Sequence, residues 1–434
     1  MNLSILCIAA TMLWAAGSNT AIIDGYTSKL SSFPGDSVDL YLNATRSIDN
    51  FNLRLFDLQG NVVFRTKTGV FKQEIANEHP SENGYGYSLT LRLATPALAS
   101  GVYLWEGKVP FIIKARDAEV TIVYPSNTVN AYCNAGGKSL YGFNSSQSTA
   151  AVKVSFLRPM PLPGHAEAFL RWMQLQHFSN VGYITDTDLE DYVSIRRSKL
   201  LIIPGHNEYW TLQSRKNFDR FVHEGKNAMV LSGNTMWWQV RYDKSKTQLI
   251  CYRDKNADPI RSDKLKTIIW NDRSLRYPIY TSIGADFDNG GYGLKTDKGW
   301  NGYLILKNSP LLEGTSLSAG GVLSCPSDEL DGAPVKFTNN NTPTLNYPMP
   351  GFFKAEIVGY DFVRRGEKEG VATWIVFKPT RSSGVIINTG STDWCSDRGI
   401  GANPDIQKIT AGMIERLLRN EPVFTDDETS MIVN

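Results

Sequence analysis

The chain has 434 residues, enough for two or three domains around a large hydrophobic core. Its 45 Lys and Arg residues nearly balance its 43 Asp and Glu residues and form no basic run, which argues against nucleic acid or an acidic membrane surface as a partner. The 10 Trp, 19 Tyr and 19 Phe residues suit a β-sandwich, a carbohydrate-facing surface or a site lined with rings.

The N-terminus has the pattern of a secretory signal peptide. Residues 3–16 are almost wholly apolar, and Ala15, Ala16 and Gly17 offer small side chains for cleavage. The alternatives are a buried N-terminal strand or a membrane anchor, but the run is short for a membrane span and rich in small residues. We therefore expect residues 1–17 to be removed, the mature chain to have no membrane span, and the protein to be secreted or periplasmic.

Four cysteines follow the predicted signal peptide: Cys133, Cys251, Cys325 and Cys395. In an exported protein an even number of cysteines permits two disulfides, and the sequence does not distinguish the three connectivities. No CxxC pair or Cys/His spacing indicates zinc. We interpret these cysteines as structural rather than catalytic.

From residue 22 to about residue 117 the pattern is all-β. Residues 37–42, 51–56 and 87–93 alternate polar and apolar side chains, as half-buried strands do. Turn-forming Pro, Gly, Asp and Asn residues separate these segments. The spacing predicts a small β-sandwich domain over residues 22–117.

A different pattern begins at Glu119. Short apolar runs alternate with amphipathic segments of helical length, at 120–124, 165–178, 200–203, 212–223, 228–231, 384–388 and 404–418. This alternation is typical of a parallel, doubly wound sheet, and it predicts an α/β domain over residues 118–420, followed by a tail at 421–434. Residues 241–373 are irregular and rich in Gly, Asn and Asp, and we interpret them as an insertion with some antiparallel strands that covers the active face.

The segment 200–210 is the most informative part of the chain. Its first four residues form a continuous apolar run, which favours a central parallel strand buried on both faces. The polar and aromatic turn that follows carries His206 and Glu208. Ligands of open α/β sheets lie at the carboxyl ends of such strands, so these side chains are candidates for a proton carrier, a metal ligand or both.

The predicted topology resembles that of class I glutamine amidotransferases. In that fold the next strand presents a cysteine nucleophile, whereas here the strand at 229–235 places Asn234 at that position. An amide side chain cannot form the acyl intermediate by that route, and the chain contains no GxSxG sequence. A thiol or serine hydrolase is therefore the least favoured hypothesis.

A metal site fits the available side chains better. His206, Glu208, Tyr132, Tyr103 and the acidic residues of 328–331 offer oxygen and nitrogen ligands, and carboxylates and phenolates suit a hard ion such as ferric iron. Each also has an ordinary structural interpretation. The tyrosines could pack as aromatic residues, Glu208 could pair with a cation or a helix N-terminus, His206 could make a strand-end hydrogen bond, and 328–331 could be a solvated loop.

Several segments, in the same order, resemble the large (β) subunit of N,N-dimethylformamidase. They are residues 25–26, 34–38, 100–103, 127–134, 136–141, 154–159, 183–189, 205–210, 232–234 and 390–394. The most specific pair is the NTVNAYCN loop with its following GGKSLY, and the GHNEYW turn. The resemblance covers nearly the whole mature chain, most strongly residues 120–238.

The resemblance implies a metal site and a reaction. Members of that family with known activity hydrolyse a small N-alkylated amide and hold one iron ion with two tyrosines and a glutamate. Carried over by motif, the ligands of a ferric ion (Fe³⁺) would be Glu208, Tyr132 and Tyr103. Such an ion would polarise the amide carbonyl for attack by a water bound to the metal.

The resemblance also implies catalytic residues. Glu329, with Asp331 as the alternative, would accept a proton from the attacking water or give one to the leaving amine. Asn234 would donate a hydrogen bond to the developing oxyanion, and His206 would assist. The known subunit is longer at both ends and pairs with a small subunit, and Cys133 lies directly beside Tyr132 in this chain.

We therefore predict an exported, iron-dependent hydrolase that acts on the carbon–nitrogen bond of a small, linear amide. Formation of a homo-oligomer is left open. The alternative is a non-catalytic protein that binds carbohydrate or a surface on a degenerate amidase scaffold, with exposed aromatic residues such as Trp237 and Trp238 as its contacts.

Overall fold

The structure is a computed structural model that describes residues 21–293, 302–346 and 351–425. The predicted signal peptide, residues 1–17, and residues 426–434 of the predicted tail lie outside the described residues. Within the described ranges, no helix is long and apolar enough to cross a bilayer.

The N-terminal region is built from strands. They are β1 (Ile22–Thr27), β2 (Ser31–Ser32), β3 (Ser37–Ala44), β4 (Ile48–Asp57), β5 (Val62–Val70), β6 (Leu91–Ala94), β7 (Gly101–Trp105) and β8 (Val109–Ile113), with a short helix α1 (Pro80–Asn83). They form a three-stranded sheet, β1-β3-β6, and a five-stranded sheet, β2-β8-β7-β4-β5. Apolar side chains of both sheets, among them Leu40, Leu55 and Trp105, share one core.

Strands and helices alternate in the rest of the chain. The first part contains β9 (Val120–Tyr124), α2 (Ser126–Tyr132), β10 (Lys153–Ser155), α3 (Glu167–Leu175), β11 (Val181–Thr185), β12 (Leu200–Gly205), β13 (Tyr209–Thr211), α4 (Leu212–His223), β14 (Asn227–Ser232), β15 (Trp238–Tyr242) and β16 (Gln248–Ile250). The second part contains α5 (Tyr280–Ile283), β17 (Asp286–Tyr292), β18 (Tyr303–Ile305), β19 (Val322–Leu323), β20 (Glu329–Gly332), β21 (Val335–Phe337), β22 (Pro343–Leu345), β23 (Lys354–Arg365), β24 (Lys368–Lys378), β25 (Ile386–Asn388) and α6 (Pro404–Arg419). An all-β part and an α/β part are both present, as the sequence predicts.

The main sheet has the strand order β11-β9-β12-β14-β25-β24-β23-β17-β20. Its first five strands are parallel to one another, and the remaining strands are antiparallel to their neighbours. The predicted insertion, residues 241–373, contains antiparallel strands, and the long β23–β24 hairpin at its end continues the main sheet. The buried apolar side chains of β24 point alternately into the cores on the two faces of the sheet, as those of a central strand do.

The apolar run of β12 explains why this strand is central. Leu200 and Ile202 pack in a core with residues of α3 and α6, whereas Leu201 and Ile203 pack in a second core with residues of α4. Helices therefore cover both faces of the sheet. Burial of each such side chain contributes about 1.5–3 kcal/mol to folding, which favours the uninterrupted apolar run.

The two disulfides that the number of cysteines permits are not formed among the described residues. Cys133, Cys251 and Cys395 are buried free thiols. Cys133 and Cys395 donate to the carbonyl oxygens of Pro159 and Leu231. Burial raises the pKa of Cys251 to about 12, so this thiol is packed as an apolar group and is not activated.

Candidate active site

The candidate site lies where β12 and β14 end. The parallel register pairs Gly205 with Ser232, so the residues that follow the two strands, including His206 and Asn234, come side by side. A small sheet, β10-β16-β15-β13, lies beside this edge because β13 begins directly after Glu208. The carboxyl ends of parallel strands are the usual position of a ligand site in such sheets.

Two glycines permit the close packing at this edge. Gly205 has a φ of +75°, and a Cβ there would lie 2.7 Å from the carbonyl oxygen of His165. A Cβ on Gly233 would lie 2.6 Å from the carbonyl oxygen of Glu329, so the absent side chain lets that segment approach. Asn234 follows with a φ of 47°, a left-handed conformation that Asn tolerates better than most residues.

Hydrogen bonds hold α2 against the turn that follows β12. The buried Asp186 carboxyl accepts from the backbone N–H of Asn127 at 2.8 Å and from the Asn207 amide at 3.2 Å. The backbone N–H of Glu208 donates to the Thr128 hydroxyl at 2.9 Å. These contacts fix the register between the turn and the helix that carries the first predicted tyrosine ligand.

Two phenols converge on one carboxylate. The Tyr132 hydroxyl donates to Oε2 of Glu208 at 2.9 Å, and the Tyr141 hydroxyl lies 2.9 Å from Oε1 and 3.0 Å from Oε2. The two rings pack with their centroids 4.3 Å apart, and the Glu208 residue is only 2 % exposed. The structure thus brings together two of the three predicted ligands, Glu208 and Tyr132, and adds Tyr141.

The chemistry of this donor set fits a hard, highly charged cation. Burial, followed by the charge of Glu208, raises the pKa of Tyr132 and of Tyr141 well above the ordinary value, so both phenols keep their protons and donate them to the carboxylate. A trivalent cation would replace those protons with its own charge, leaving three anionic oxygen ligands. Within the described ranges no three His, Cys, Asp or Glu side chains are grouped to hold a metal, so a metal here depends on the phenols.

His206 lies between the carboxylates of the site. Its Nδ1 donates to the carbonyl oxygen of Gly233 at 3.1 Å, and its Nε2 lies 3.3 Å from Oε2 of Glu208 and 3.8 Å from Oε2 of Glu329. Burial alone would lower the pKa of His206, but the two carboxylates and the carbonyl outweigh it and raise this pKa to about 9. The imidazole therefore links the predicted metal ligands to the predicted proton acceptor.

Asn234 and Glu329 form the second pair that the sequence predicts. Nδ2 of Asn234 donates to Oε2 of Glu329 at 3.1 Å, and Oδ1 of Asn234 is buried with no hydrogen-bond partner among the described residues. Burial raises the pKa of Glu329 above its ordinary value, although its side chain remains one-fifth exposed. A carboxyl with a raised pKa that still reaches solvent suits proton transfer.

The alternative proton acceptor, Asp331, occupies a different position. Its side chain is fully buried, accepts from the backbone N–H of Thr235 at 3.2 Å, and has its pKa raised well above the ordinary value by burial. Asp328 in turn pairs with Arg398 at 3.0 Å near the surface. Of the acidic residues in 328–331, Glu329 is the one that faces Asn234 and His206.

The structure places Tyr103 apart from this cluster. Tyr103 lies in β7, packs in the core of the two N-terminal sheets, and donates its hydroxyl proton to the carbonyl oxygen of Ala99 at 2.8 Å. Among the described residues, Tyr103 makes no hydrogen bond to Glu208. Tyr141, which ends the GGKSLY segment, is the second tyrosine whose hydroxyl contacts Glu208.

Sequence reasoning also missed two supporting pairs. Arg253 donates to the Tyr209 hydroxyl, which lies beside the cluster, and no sequence pattern in the irregular insertion indicated this contact. On the opposite side, the His165 ring lies edge-on to His206 with centroids 5.7 Å apart, and its Nδ1 is 3.5 Å from Oδ1 of Asp393. Burial would raise the pKa of Asp393, but His165 and neighbouring donors lower it to about 2.

The two tryptophans that the alternative hypothesis gives as examples of surface contacts are not exposed. Trp237 is 7 % exposed and packs edge-on against Phe287, with the Arg365 guanidinium over its ring. Trp238 is half-buried, and the guanidinium of Arg253 lies 5.0 Å from the centre of its ring. The interpretation of these residues as exposed contacts is therefore wrong.

A cavity of about 250 Å³ lies elsewhere, lined by residues of the β1–β2 segment, by Lys114 and by Asp188. None of the predicted site residues lines it. Side chains that are hydrogen-bonded to one another leave no void between them, so we locate the candidate site by its converging polar groups and not by cavity size.

The fold and these contacts define an α/β protein with carboxylate, phenol and imidazole groups at the carboxyl ends of its parallel strands. A family model described as N,N-dimethylformamidase beta subunit-like, C-terminal, matches residues 65–401. This match spans well over half of the chain, and the chain belongs to the N,N-dimethylformamidase beta subunit-like family, which confirms the resemblance seen in the motifs. No curated protein matches the chain.

Proposed function

We propose that the protein is an iron-dependent hydrolase of the carbon–nitrogen bond of a small, linear amide. The observation that carries this proposal is the convergence of Tyr132 and Tyr141 on the buried carboxylate of Glu208. Membership of the dimethylformamidase-like family supports the hydrolytic reaction class. Tyr141 takes the ligand role that the motifs had given to Tyr103.

The three oxygen donors would hold the ion, and the neighbouring groups would act on the substrate. When bound, a ferric ion supplies a Lewis acid that polarises a carbonyl group and makes water more acidic. Glu329 accepts the proton of the attacking water and returns it to the leaving amine as the carbon–nitrogen bond breaks. Burial raises the pKa of Glu329, so the protonated form that gives the proton to the amine is easier to reach than in an exposed glutamate.

Asn234 and His206 orient these events. Asn234 holds Glu329 through one amide hydrogen and has a second hydrogen for the substrate oxygen, while its free Oδ1 can accept from a substrate N–H. His206 is fixed by the carbonyl of Gly233 and donates towards the carboxylates. Asn234 and His206 are thus held by other protein groups before the substrate binds, and they can stabilise the transition state without rearranging.

We also propose export of the protein, on the apolar run and the small residues near position 17. The N-terminal sequence of the protein recovered from the extracellular or periplasmic fraction tests this independently of the reaction. A chain recovered there that begins near residue 18 supports export. A cytoplasmic chain that retains residues 1–17 contradicts it.

The first experiment measures iron content and the visible spectrum of the purified protein. We expect about one ferric ion per chain and a phenolate-to-iron charge-transfer band, both lost in Glu208→Gln and both reduced in Tyr132→Phe and Tyr141→Phe. Tyr103→Phe is the matched control, because it removes a buried tyrosine hydroxyl outside the cluster, and it should match the wild type.

A protein that binds iron would next be tested on a panel of N-alkylated amides, with release of the amine as the readout. Failure of the wild type to bind iron after reconstitution contradicts the proposal. Glycan binding by that metal-free protein would then favour the non-catalytic alternative.

A further inference from the structure

We propose that Tyr209 and Arg253 are positioning residues that make the two tyrosine ligands electronically different. Arg253 orients the Tyr209 hydroxyl so that it donates a hydrogen bond to the oxygen of Tyr141. The inference rests on the proposed function, since it concerns how the same site holds its ion. The contact is a chain of three groups: the Tyr209 hydroxyl lies 2.7 Å from the Tyr141 hydroxyl, and the Arg253 guanidinium donates to the Tyr209 oxygen.

The direction of each hydrogen bond follows from the chemistry of its ends. An arginine has only donors, so the Tyr209 oxygen accepts from Arg253 and the Tyr209 proton points to Tyr141. At the other end the Glu208 carboxylate accepts from Tyr141. Tyr141 therefore receives a hydrogen bond from Tyr209 whether it keeps its own proton or gives it up to a metal ion.

Packing holds the guanidinium of Arg253 in this position. Its Cζ lies 3.9 Å from the ring centre of Tyr141 and 5.0 Å from that of Trp238, so it is placed between the two rings. Arg253 has a φ of +60°, which is unusual for a residue with a Cβ, and its backbone N–H is fixed by the carbonyl of Thr267 at 2.9 Å.

One feature of Arg253 is unfavourable for stability alone. Its Nε is buried and has no hydrogen-bond partner among the described residues. An arginine that served only the fold would be expected to satisfy this donor. Arg253 has a strained backbone and an unsatisfied donor, and it directly contacts Tyr209 and the ring of Tyr141. Energetically unfavourable features of this kind are common at functional sites.

The two phenols consequently have different surroundings. Besides Glu208, the Tyr132 hydroxyl has the Tyr141 hydroxyl and, at 3.4 Å, the Nε2 atom of His206 as polar neighbours. Tyr141 has a donor on its oxygen and a cation over its ring. A hydrogen bond to a phenolate oxygen lowers the energy of its lone pairs, so more energy is needed to transfer an electron from that oxygen to a ferric ion.

The test compares ferric-ion affinity and the position of the charge-transfer band in matched variants of the full chain. Tyr209→Phe removes one hydroxyl and keeps the ring. Arg253→Met removes the charge and the donors, and Arg253→Lys keeps a cation that can donate. Tyr124→Phe is the control, because the Tyr124 hydroxyl is buried without a hydrogen-bond partner in the described structure.

We expect Tyr209→Phe and Arg253→Met to weaken ferric binding by about tenfold or more, the usual effect of removing an outer-sphere partner of a metal ligand. We also expect both to shift the band to longer wavelength, with Arg253→Lys nearer to the wild type and Tyr124→Phe unchanged. Thermal melts of the metal-free proteins separate these effects from a loss of folding.

Two results would overturn the inference. Wild-type affinity and band position in both Tyr209→Phe and Arg253→Met would show that these residues do not act on the site, while the proposed function would stand. A wild-type protein that binds no ferric ion would remove both the proposed function and this inference from it.

Discussion

The Tyr141 hydroxyl bridges both oxygens of the Glu208 carboxylate, at 2.9 Å and 3.0 Å. The two residues are far apart in the sequence and lie on different elements, with Tyr141 in a loop after α2 and Glu208 in the turn between β12 and β13. Their contact is supported by a core in which the rings of Tyr132 and Tyr141 pack against buried residues of the small sheet, including Val154 and Leu249. The site is thus a junction between the main sheet and the small sheet.

Tyr141→Phe should destabilise the metal-free protein as well as weaken iron binding. The substitution removes a donor from Glu208 and an acceptor from Tyr209, and buried polar groups without partners cost about 1–3 kcal/mol each. Urea denaturation of the metal-free protein measures the free energy of unfolding. Tyr103→Phe loses only its bond to Ala99 and should cost about 1 kcal/mol without any effect on iron.

Glu329→Gln should abolish most amide hydrolysis while leaving the iron in place. The amide side chain can still contact Asn234 but cannot accept the proton, so we expect a loss of about 10²- to 10⁴-fold in kcat. In the wild type, burial raises the pKa of Glu329 above the ordinary value of about 4.5 for a glutamate. As the pH is lowered, the activity of the wild type should therefore begin to fall at a pH above this ordinary value. This loss of activity at acidic pH should be absent in the variant.

Arg158→Met should disorder the C-terminal end of α2, which carries Tyr132, and the residues that follow it. The Arg158 side chain is fully buried and donates to the carbonyl oxygens of Asn130 and Cys133 at 3.0 Å and of Ala135 at 2.5 Å. Removal of the guanidinium leaves several buried carbonyls unpaired, at about 1–3 kcal/mol each. We expect a loss of more than about 3 kcal/mol in the free energy of unfolding, and weaker iron binding even where the protein remains folded.

Asp186→Asn should change the pH dependence of stability. Burial raises the folded-state pKa of Asp186 from 3.8 to about 7, despite hydrogen bonds from Asn127 and Asn207. The stability that the protonated carboxyl contributes is therefore fully present below about pH 4 and is lost as the pH rises through about 7. The difference in unfolding free energy between wild type and variant should fall by up to roughly 4 kcal/mol over that range. A difference that does not vary with pH would contradict this assignment.

Gly205→Ala should damage the site through the backbone. The residue has a φ of +75°, and the added Cβ would lie 2.7 Å from the carbonyl oxygen of His165. We expect a loss of at least about 2 kcal/mol in stability and a displaced His206. Gly412→Ala is the control, because Gly412 lies inside α6 with open space around it and should gain about 0.5–1 kcal/mol.

Local patterns were sufficient to predict much of the architecture. Alternating residues such as those of β3 place Val38, Leu40 and Leu42 on one buried face, and the continuous run of β12 is buried on both faces. The same run, ended by a polar turn, located His206 and Glu208 at the edge of the sheet. These predictions rest on the period of the side chains along one strand, which is a property of the sequence.

Which tyrosine contacts Glu208 required the tertiary structure. Only Tyr141 meets Glu208, because Tyr103 in β7 packs in the N-terminal core. The way in which the β23–β24 hairpin continues the main sheet also required the tertiary structure, since an antiparallel continuation depends on which strand its edge pairs with.

Residue patterns alone indicate the mixed all-β and α/β organisation, the central strand, the position of Glu208 and the family. The contact of Tyr141 with that carboxylate, and the contacts of Tyr209 and Arg253 with Tyr141, are seen only in the folded chain. The physical reason is that strand burial follows from the spacing of neighbouring residues, whereas a hydrogen bond between distant side chains depends on how separate elements pack, and no local pattern encodes that distance.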